Sequence, residues 1–357
     1  MMYPRSVLSH EIINIIRKDF VQAEEQGQLS HEQLELIYRQ KWFHLFVPQE
    51  RGGLQLSLPE AVRLEENIAY ADGSVGWVVT LCAGAAMFIG YFSEDLANEI
   101  FDGPRVCLAG SGQVNGTAKM IDGCFEISGF WPYASGAPHA THFTANCTVE
   151  GSGKVQSFIF KKEEVTLHPN WKYIGLNATA GYSFSVNNLR IPANRTFIID
   201  PAHATLPHPV YRYPFLQLAE TTIAANISGM CLHFFNLAKE LLTKKQKTHS
   251  RSEGVKNKGL QLIASGEAEM ELLRQKFYTA LDASWLSHEA KNEATTLQLN
   301  AVSQASLDLA QGSRNLVNQL YPYCGLYAAR TDTMINQVWR NINTASQHTL
   351  LLSSADV

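Results

Sequence analysis

The spacing of apolar and polar positions divides the chain into three stretches. Residues 1 to about 104 read as amphipathic helices. Two starts are marked: Ser30-His31-Glu32-Gln33 and Ser57-Leu58-Pro59-Glu60 each place a hydroxyl three residues before Gln or Glu, the spacing of a capping box. Between them Val47-Pro48-Gln49-Glu50-Arg51-Gly52-Gly53 reads as a loop, because proline and paired glycines stop both helix periods. Gly73 to Phe92 carries no charge and is long enough to cross a bilayer. Its Gly, Ala and Ser content, the amphipathic sequence around it and the lack of flanking Lys or Arg favour a helix buried on all sides instead.

From about 105 to 208 the period changes to two. Thr117 to Ile121, Phe143 to Val149, Val155 to Phe160 and Tyr182 to Val186 are short alternating runs, separated by Asn-Gly, Asp-Gly and Gly-Ser-Gly, which read as turns. They predict a small antiparallel β-domain, a barrel or sandwich. Pro192, Pro201, Pro207 and Pro209 mark its exit as a linker. Four long helical patterns follow, roughly 212 to 244, 258 to 290, 293 to 321 and 331 to 352, with Gly325 dividing the last two. Short connections make an antiparallel four-helix bundle the expected architecture. The expectation is therefore an α+β multidomain chain: an N-terminal helical domain over 1–104, a β-domain over 105–208 and a bundle over 209–357.

A length of 357 residues permits two or three cores, and the net charge of -4 without a basic run argues against a nucleic-acid surface. The six cysteines form no CxxC pair, which fits free thiols in a reducing cytoplasm. The charged N-terminal stretch does not read as a secretory leader. His139-x-x-His142 offers two ligands with no third nearby, too few for a metal site. Gly110-Ser111-Gly112 and Gly151-Ser152-Gly153 read as turns, not phosphate loops. The Lys244-Lys245-Gln246-Lys247 cluster, in a charged loop running to Lys258, either reaches a cofactor phosphate on a neighbouring subunit or is a solvated helix end.

Two aromatic-led segments carry the candidate chemistry. In Trp131-Pro132-Tyr133-Ala134-Ser135-Gly136, a hydroxyl beside a glycine lets backbone approach a flat cofactor. In Trp339 to His348, a histidine near the end of a helical pattern is placed to hold or deprotonate a substrate, and Asn341, Thr344, Ala345 and His348 share one helix face. Each segment also has a plainer reading. Trp131 and Trp339 would serve as core aromatics, Ser135-Gly136 as a turn, and His348 as a satisfied interior histidine.

With these segments, Val47 to Gly53, Ala71-Asp72-Gly73-Ser74-Val75-Gly76-Trp77, and Trp171 with Gly175, Thr179 and Leu189-Arg190-Ile191-Pro192, the chain resembles the acyl-CoA dehydrogenase superfamily over essentially its whole length. The Trp131 to Gly136 and Arg340 to His348 segments look closest to its two-component flavin-dependent monooxygenase branch. That resemblance implies FAD or FMN between the β-domain and the bundle, reduced flavin delivered by a separate reductase, oxygenation of a phenol or related small ring, and a homotetramer. It implies Ser135 near the reactive edge of the flavin, Tyr133 and Gly136 along the same face, and backbone contacts from Leu108, Ala109 and Ser111. His348 would contact substrate, with Asn341 and Thr344 beside it.

There are departures. Ala85 stands where the branch usually has a second histidine, Asn341 where it mostly has aspartate, and Asn177 where an arginine is common. Two alternatives stay open: oxidation of an acyl thioester with Glu220 as base, since no Glu-Gly-Thr segment is present, and a scaffold that keeps the fold without the chemistry.

Overall fold

The computed structural model describes residues 8–243, 253–291 and 293–352. The Lys244 to Lys247 cluster, and the expected loop as far as Ser252, lie outside the described residues. Among the described residues six α-helices come first: α1 (His10–Lys18), α2 (Phe20–Gln26), α3 (His31–Arg39), α4 (Leu58–Ala71), α5 (Gly73–Ala86) and α6 (Glu94–Phe101). Both expected capping boxes form. Ser30 Oγ accepts from Gln33 N while Gln33 Oε1 accepts from Ser30 N, and Ser57 and Glu60 repeat the arrangement at α4.

The uncharged stretch becomes α5 and the 3-10 turns of Met87–Tyr91, nearly all of it buried. It starts sharply because the Asp72 carboxylate accepts from Ser74 N at 2.8 Å and Val75 N at 3.0 Å. Being apolar all round, it packs against α4, the first strand and the C-terminal helices at once.

The strands are β1 (Leu108–Ile121), β2 (Cys124–Ala134), β3 (His142–Val149), β4 (Val155–Lys161), β5 (Thr166–His168), β6 (Tyr182–Pro192) and β7 (Thr196–Phe197). They form one mixed seven-stranded sheet in the order β5-β6-β2-β1-β3-β4-β7. This corrects the all-antiparallel expectation. Asp122-Gly123 folds β2 back beside β1, the chain then crosses to the far side of β1, and β3 is left parallel to it. Asn115-Gly116 is likewise not a turn; it lies inside β1 where the register against β3 shifts. Trp131 takes its plainer role, fully buried in the sheet core with its ring 5.2 Å from Phe184 and its indole N–H on the Asn146 carbonyl.

After the sheet come α7 (Phe215–Thr243), α8 (Glu253–Lys291), α9 (Thr296–Leu320), α10 (Gly325–Ala329) and α11 (Met334–Ala345). α8 and α9 both pack on α7, and α11 packs across α7 and α5. Helix α11 stops earlier than its pattern suggested, at Ala345, so its apolar face does not run on to 352. Trp339 stacks on Tyr321 with centroids 4.5 Å apart.

Glu65 on α4 is fully buried, with no hydrogen bond to either carboxylate oxygen although Thr80 lies beside it. Burial pushes its carboxyl up from the usual 4.5 to about 8. A folded-state value above the unfolded one means that Glu65 is free of penalty below about pH 4.5. Stability is then lost as pH rises through about 8. Glu65→Gln removes this term, so the variant should match the parent chain in urea melts at pH 5 and exceed it at pH 9. The gain has an upper bound of about 5 kcal/mol. Equal midpoints at pH 9 would refute the buried neutral acid.

Candidate functional site

The end of β2 does not run straight. Trp131 faces Phe184 of β6 while Ala134 faces Tyr182, so Pro132 and Tyr133 bulge outward against a single partner residue. Tyr133 sits at φ 69°, in the left-handed region that a residue with a Cβ rarely occupies. The chain then turns through Ser135 and Gly136, whose N–H donates to the Thr179 carbonyl at 2.8 Å. Thr179 belongs to a short 3-10 turn, Asn177–Thr179, flanked by two more left-handed non-glycine residues, Leu176 at φ 55° and Ala180 at φ 47°. Three such residues, none of a type that favours αL, therefore surround one point. Strain of this kind, about 1–3 kcal/mol each, persists where surrounding structure imposes it, and it concentrates at ligand sites.

What imposes it is visible. Asn341 on α11 is buried, accepts from Leu176 N at 2.6 Å and donates to Ser74 Oγ on α5 at 3.3 Å. Arg340 donates from Nη1 to the Ile174 carbonyl at 2.7 Å, pairs with Glu24 on α2, and bonds Asn336 through Nε. Gly175 lies so close to α11 that an added Cβ would fall 2.2 Å from the Arg340 carbonyl oxygen. The loop is thus clamped between α2, α5 and α11. Asn177, in the position of the missing arginine, accepts from Arg340 Nη1 at 3.2 Å when its amide is oriented to donate to the Tyr173 carbonyl.

α5 supplies the wall facing Ser135. Cys82 Sγ donates to the Ser135 carbonyl at 3.6 Å, and a Cβ on Gly136 would meet that sulfur at 2.8 Å and Val78 Cγ1 at 3.4 Å. One turn towards the start of α5, the Trp77 ring lies edge-on to His348, 6.1 Å between centroids. His348 is not on α11. It stands beyond the Ser346 cap and caps the next 3-10 turn, with Nδ1 accepting from Leu350 N at 3.3 Å. An imidazole that accepts at Nδ1 carries its proton on Nε2 when neutral. Burial lowers the pKa of the ring below its usual 6.5, which favours that neutral form.

The expected site residues separate on this geometry. Ser135 is buried, 5% exposed, and its hydroxyl has no hydrogen-bond partner among the described residues. Tyr133 is 48% exposed, its hydroxyl 3.2 Å from that of Tyr173, and its ring lies edge-on to Trp171. Leu108 and Ala109 are buried at the start of β1, opposite His142 and Phe143, and Ser111 is half-buried opposite Ala145. Thr344 is half-buried with a buried hydroxyl that has no partner, as does the neighbouring Ser346. Asn341 has one bond at each end of its amide inside the fold, to Leu176 N and to Ser74 Oγ, and so holds the strained loop. The shared face with His348 is a correction, because the helix ends three residues before it.

Glu220 on α7 has its carboxylate between two bundle helices, where it accepts from Ser303 Oγ on α9 at 2.5 Å. Trp77, Val78 and Cys82 of α5, and the αL pair Leu176 and Ala180, were not among the expected residues. Only Gly175 and Gly181 around the loop hinted at a close approach.

The family described as acyl-CoA dehydrogenase, C-terminal domain, matches residues 221–352. The chain is 26% identical over 320 residues to a pigment production hydroxylase of Rhodococcus sp., covering 85% of this chain and 81% of the relative. It is 21% identical over 359 residues to the flavin-dependent monooxygenase oxygenase subunit HsaA of Rhodococcus jostii, covering 94% and 92%. The solved structure of the 3-HSA hydroxylase from Rhodococcus sp. RHA1 superposes with a TM-score of 0.88 at 18% identity, over 96% of this chain and 91% of that one. The chain therefore has the acyl-CoA dehydrogenase fold. Within that superfamily its relatives over nearly the full length are hydroxylases and flavin-dependent monooxygenases, the branch that the two aromatic-led segments resemble.

The residues around Ser135 fit a flat ring. Tyr133, Trp171 and Tyr173 form an aromatic cluster beside it, and Tyr133, Tyr173 and Ile174 stay 48–59% exposed, large apolar surface left uncovered next to a strained turn. Gly136→Ala tests the turn. With φ at 76° and Cys82 Sγ 2.8 Å from the new Cβ, the substitution should weaken flavin binding at least tenfold, and Gly136→Ala with Cys82→Ala should recover part of the loss. Unchanged binding in the single variant would remove the turn from the site.

Proposed function

We propose that the chain is the oxygenase component of a two-component flavin-dependent monooxygenase, using reduced FAD or FMN and molecular oxygen to oxygenate a small aromatic or heterocyclic substrate. The observation that carries this reading is the junction itself. A strained, clamped turn presents an unpartnered hydroxyl at Ser135 beside uncovered aromatic surface, with α5 running from that turn to a neutral histidine. The flavin supplies two electrons to oxygen, so that one oxygen atom enters the substrate and the other leaves as water.

The protein's own contribution is placement and exclusion of water. Ser135 donates a hydrogen bond to the flavin edge, the aromatic cluster covers its face, and His348 donates from Nε2 to an oxygen or nitrogen acceptor on the substrate. No carboxylate acts as a base in this account.

A separate reductase delivers the reduced flavin, and a reducing, cytoplasmic setting fits the six free thiols. Self-association is part of the proposal. Along α8 a narrow stripe through Ile263, Met270, Phe277 and Leu281 is buried, while Leu272 and Leu286 are 60% and 62% exposed, Leu297 on α9 is 81% exposed and Leu326 on α10 is 86% exposed. Such surface suits packing of bundles in a homotetramer.

The test is a coupled assay. The chain, a flavin reductase and NADH are incubated under isotopically labelled oxygen gas with a panel of phenols and heterocycles, and the products are analysed for label. One labelled atom per product supports the proposal. Hydrogen peroxide as the sole oxygen product across the panel, or failure to bind flavin, favours a scaffold.

A further inference from the structure

A cavity lies against the clamped loop, between α2, the Ile174 to Asn177 segment and the start of α11, with a volume of about 400 Å³. That size is within the range of small-molecule sites. Trp77, Cys82, Ser135, Gly136 and His348 do not line it, so it is separate from the groups assigned to flavin and substrate.

Two acceptors on its lining have nothing to accept from. Arg340 Nη2 takes one oxygen of the Glu24 carboxylate, and the other, Oε1, is buried without a hydrogen bond. Asn177 lies beside Glu24, but its amide is oriented to Tyr173 and Arg340. Gln337 is 2% exposed and donates through Nε2 to Asp72 Oδ2 at 3.4 Å. That bond fixes which way its amide points and leaves Oε1 buried without a partner. Buried acceptors left unpaired are costly, and a ligand that brings N–H groups relieves them.

Electrostatics select the same chemistry. Glu24, Glu25 and Asp332 line the cavity, and Arg340 is the only cation among the described residues that do. Its nitrogens are all engaged: Nε with Asn336, Nη1 with the Ile174 carbonyl and Nη2 with Glu24. An anion would meet acidic groups and no uncommitted cation. No three His, Cys, Asp or Glu side chains among the described residues gather closely enough to hold a metal ion. The rest of the wall is apolar, Phe20 and Val21 on α2 and Ile174 on the loop, with Val21 36% and Ile174 59% exposed.

We infer that this cavity is a binding site for a small organic ammonium ion with an apolar body about the size of one ring. The N–H groups of the ligand donate to Glu24 Oε1 and Gln337 Oε1, the acidic side chains supply counter-charge, and the body rests on Phe20, Val21 and Ile174. This goes beyond the oxygenase reading, and its test needs no turnover.

The experiment is isothermal titration of the full chain with benzylammonium, benzyl alcohol, benzyltrimethylammonium and benzoate, comparing the parent with Glu24→Gln and Val21→Trp. Glu24→Gln removes the acceptor charge but also loosens the pair with Arg340. Val21 is partly exposed on α2, so Val21→Trp should fold while its ring fills the cavity. The parent should bind benzylammonium about tenfold or more tightly than benzyl alcohol, which lacks the charge, or benzyltrimethylammonium, which lacks the N–H donors. Benzoate should give no binding heat.

Val21→Trp should abolish benzylammonium binding with circular dichroism and melting unchanged, and Glu24→Gln should weaken it about tenfold. Saturating reduced flavin under argon should leave the affinity within about twofold. Benzylammonium bound no more tightly than benzyl alcohol overturns the ligand class. Undiminished binding in either folded variant, or displacement of benzylammonium by flavin, overturns the location. None of these outcomes reads oxygenation, so absence of oxygenated product would count against the oxygenase reading alone.

Discussion

His348→Ala is expected to lower formation of oxygenated product by about a hundredfold or more while reduced-flavin binding stays within about twofold. Loss of a positioned donor in a closed site costs about 10²–10³ in turnover. The ring lies edge-on to Trp77 and, in the proposed site, donates to the substrate, so the loss is expected to fall on the substrate and not on the cofactor. Oxygen should continue to be consumed, appearing as hydrogen peroxide. The geometry also fixes the pH dependence. Neutral His348 accepts Leu350 N–H at Nδ1 and donates from Nε2, and protonation of Nδ1 would end the cap.

Because burial lowers its pKa, the donor form prevails at neutral and alkaline pH. Coupling of flavin oxidation to product should fall on acidification below the usual histidine range, and this acid limb should vanish in His348→Gln, whose amide can still donate. Rapid-quench product yields across pH measure it. Coupling that is independent of His348 at every pH would dismiss the residue from the chemistry.

Arg274→Met is expected to destabilise the chain by about 3–5 kcal/mol, the largest loss of stability of any single change considered. Glu66 on α4 is 1% exposed and accepts four bonds. These come from Arg274 Nε and Nη2 at 2.8 Å each, from Tyr278 Oη at 2.8 Å and from Ser228 Oγ at 2.5 Å. This cluster joins α4, α7 and α8, so it fastens the N-terminal helices to the bundle. Removing the guanidinium leaves a buried carboxylate without its counter-charge, which costs more than the pair contributes when intact. Arg274→Met with Glu66→Met should therefore recover much of the loss, because an apolar pair carries no such penalty. Urea unfolding of the two variants, read by far-UV circular dichroism, separates these outcomes. A double variant no more stable than the single one would show that the cluster acts through packing alone.

Much of the architecture was legible because its signals are local. Capping boxes at Ser30 and Ser57 need only four residues to declare themselves, and the uncharged run from Gly73 is apolar at every helical angle, so its burial could be read from composition. The direction of β3 was not legible, since whether a strand returns on one side of β1 or the other depends on the crossover after Ala134 and not on alternation. The end of α11 was misjudged for a similar reason. Ser346, Gln347 and His348 extend the period but are held by the following 3-10 turn, and neither Gly nor Pro marks the stop.

At the candidate site, Ser135 and Gly136 could be found from hydroxyl-beside-glycine chemistry. Leu176 and Ala180 could not, because ordinary apolar residues forced to positive φ leave no trace in sequence. The structural work of Asn341 was not legible either: a polar residue on that face pointed to a ligand, and nothing local announced that it serves the backbone N–H of a loop 165 positions away.

The most direct test of the oxygenase reading is anaerobic titration of the pure chain with reduced FAD and reduced FMN, followed by rapid mixing with oxygenated buffer and recording of the full absorption spectrum. The account predicts that one reduced flavin binds more tightly than its oxidised form, and that bound flavin returns to the oxidised spectrum in more than one phase, through a transient that neither end state explains. Tight binding of oxidised FAD, with bleaching by an acyl thioester in the absence of oxygen, would contradict it in favour of dehydrogenation.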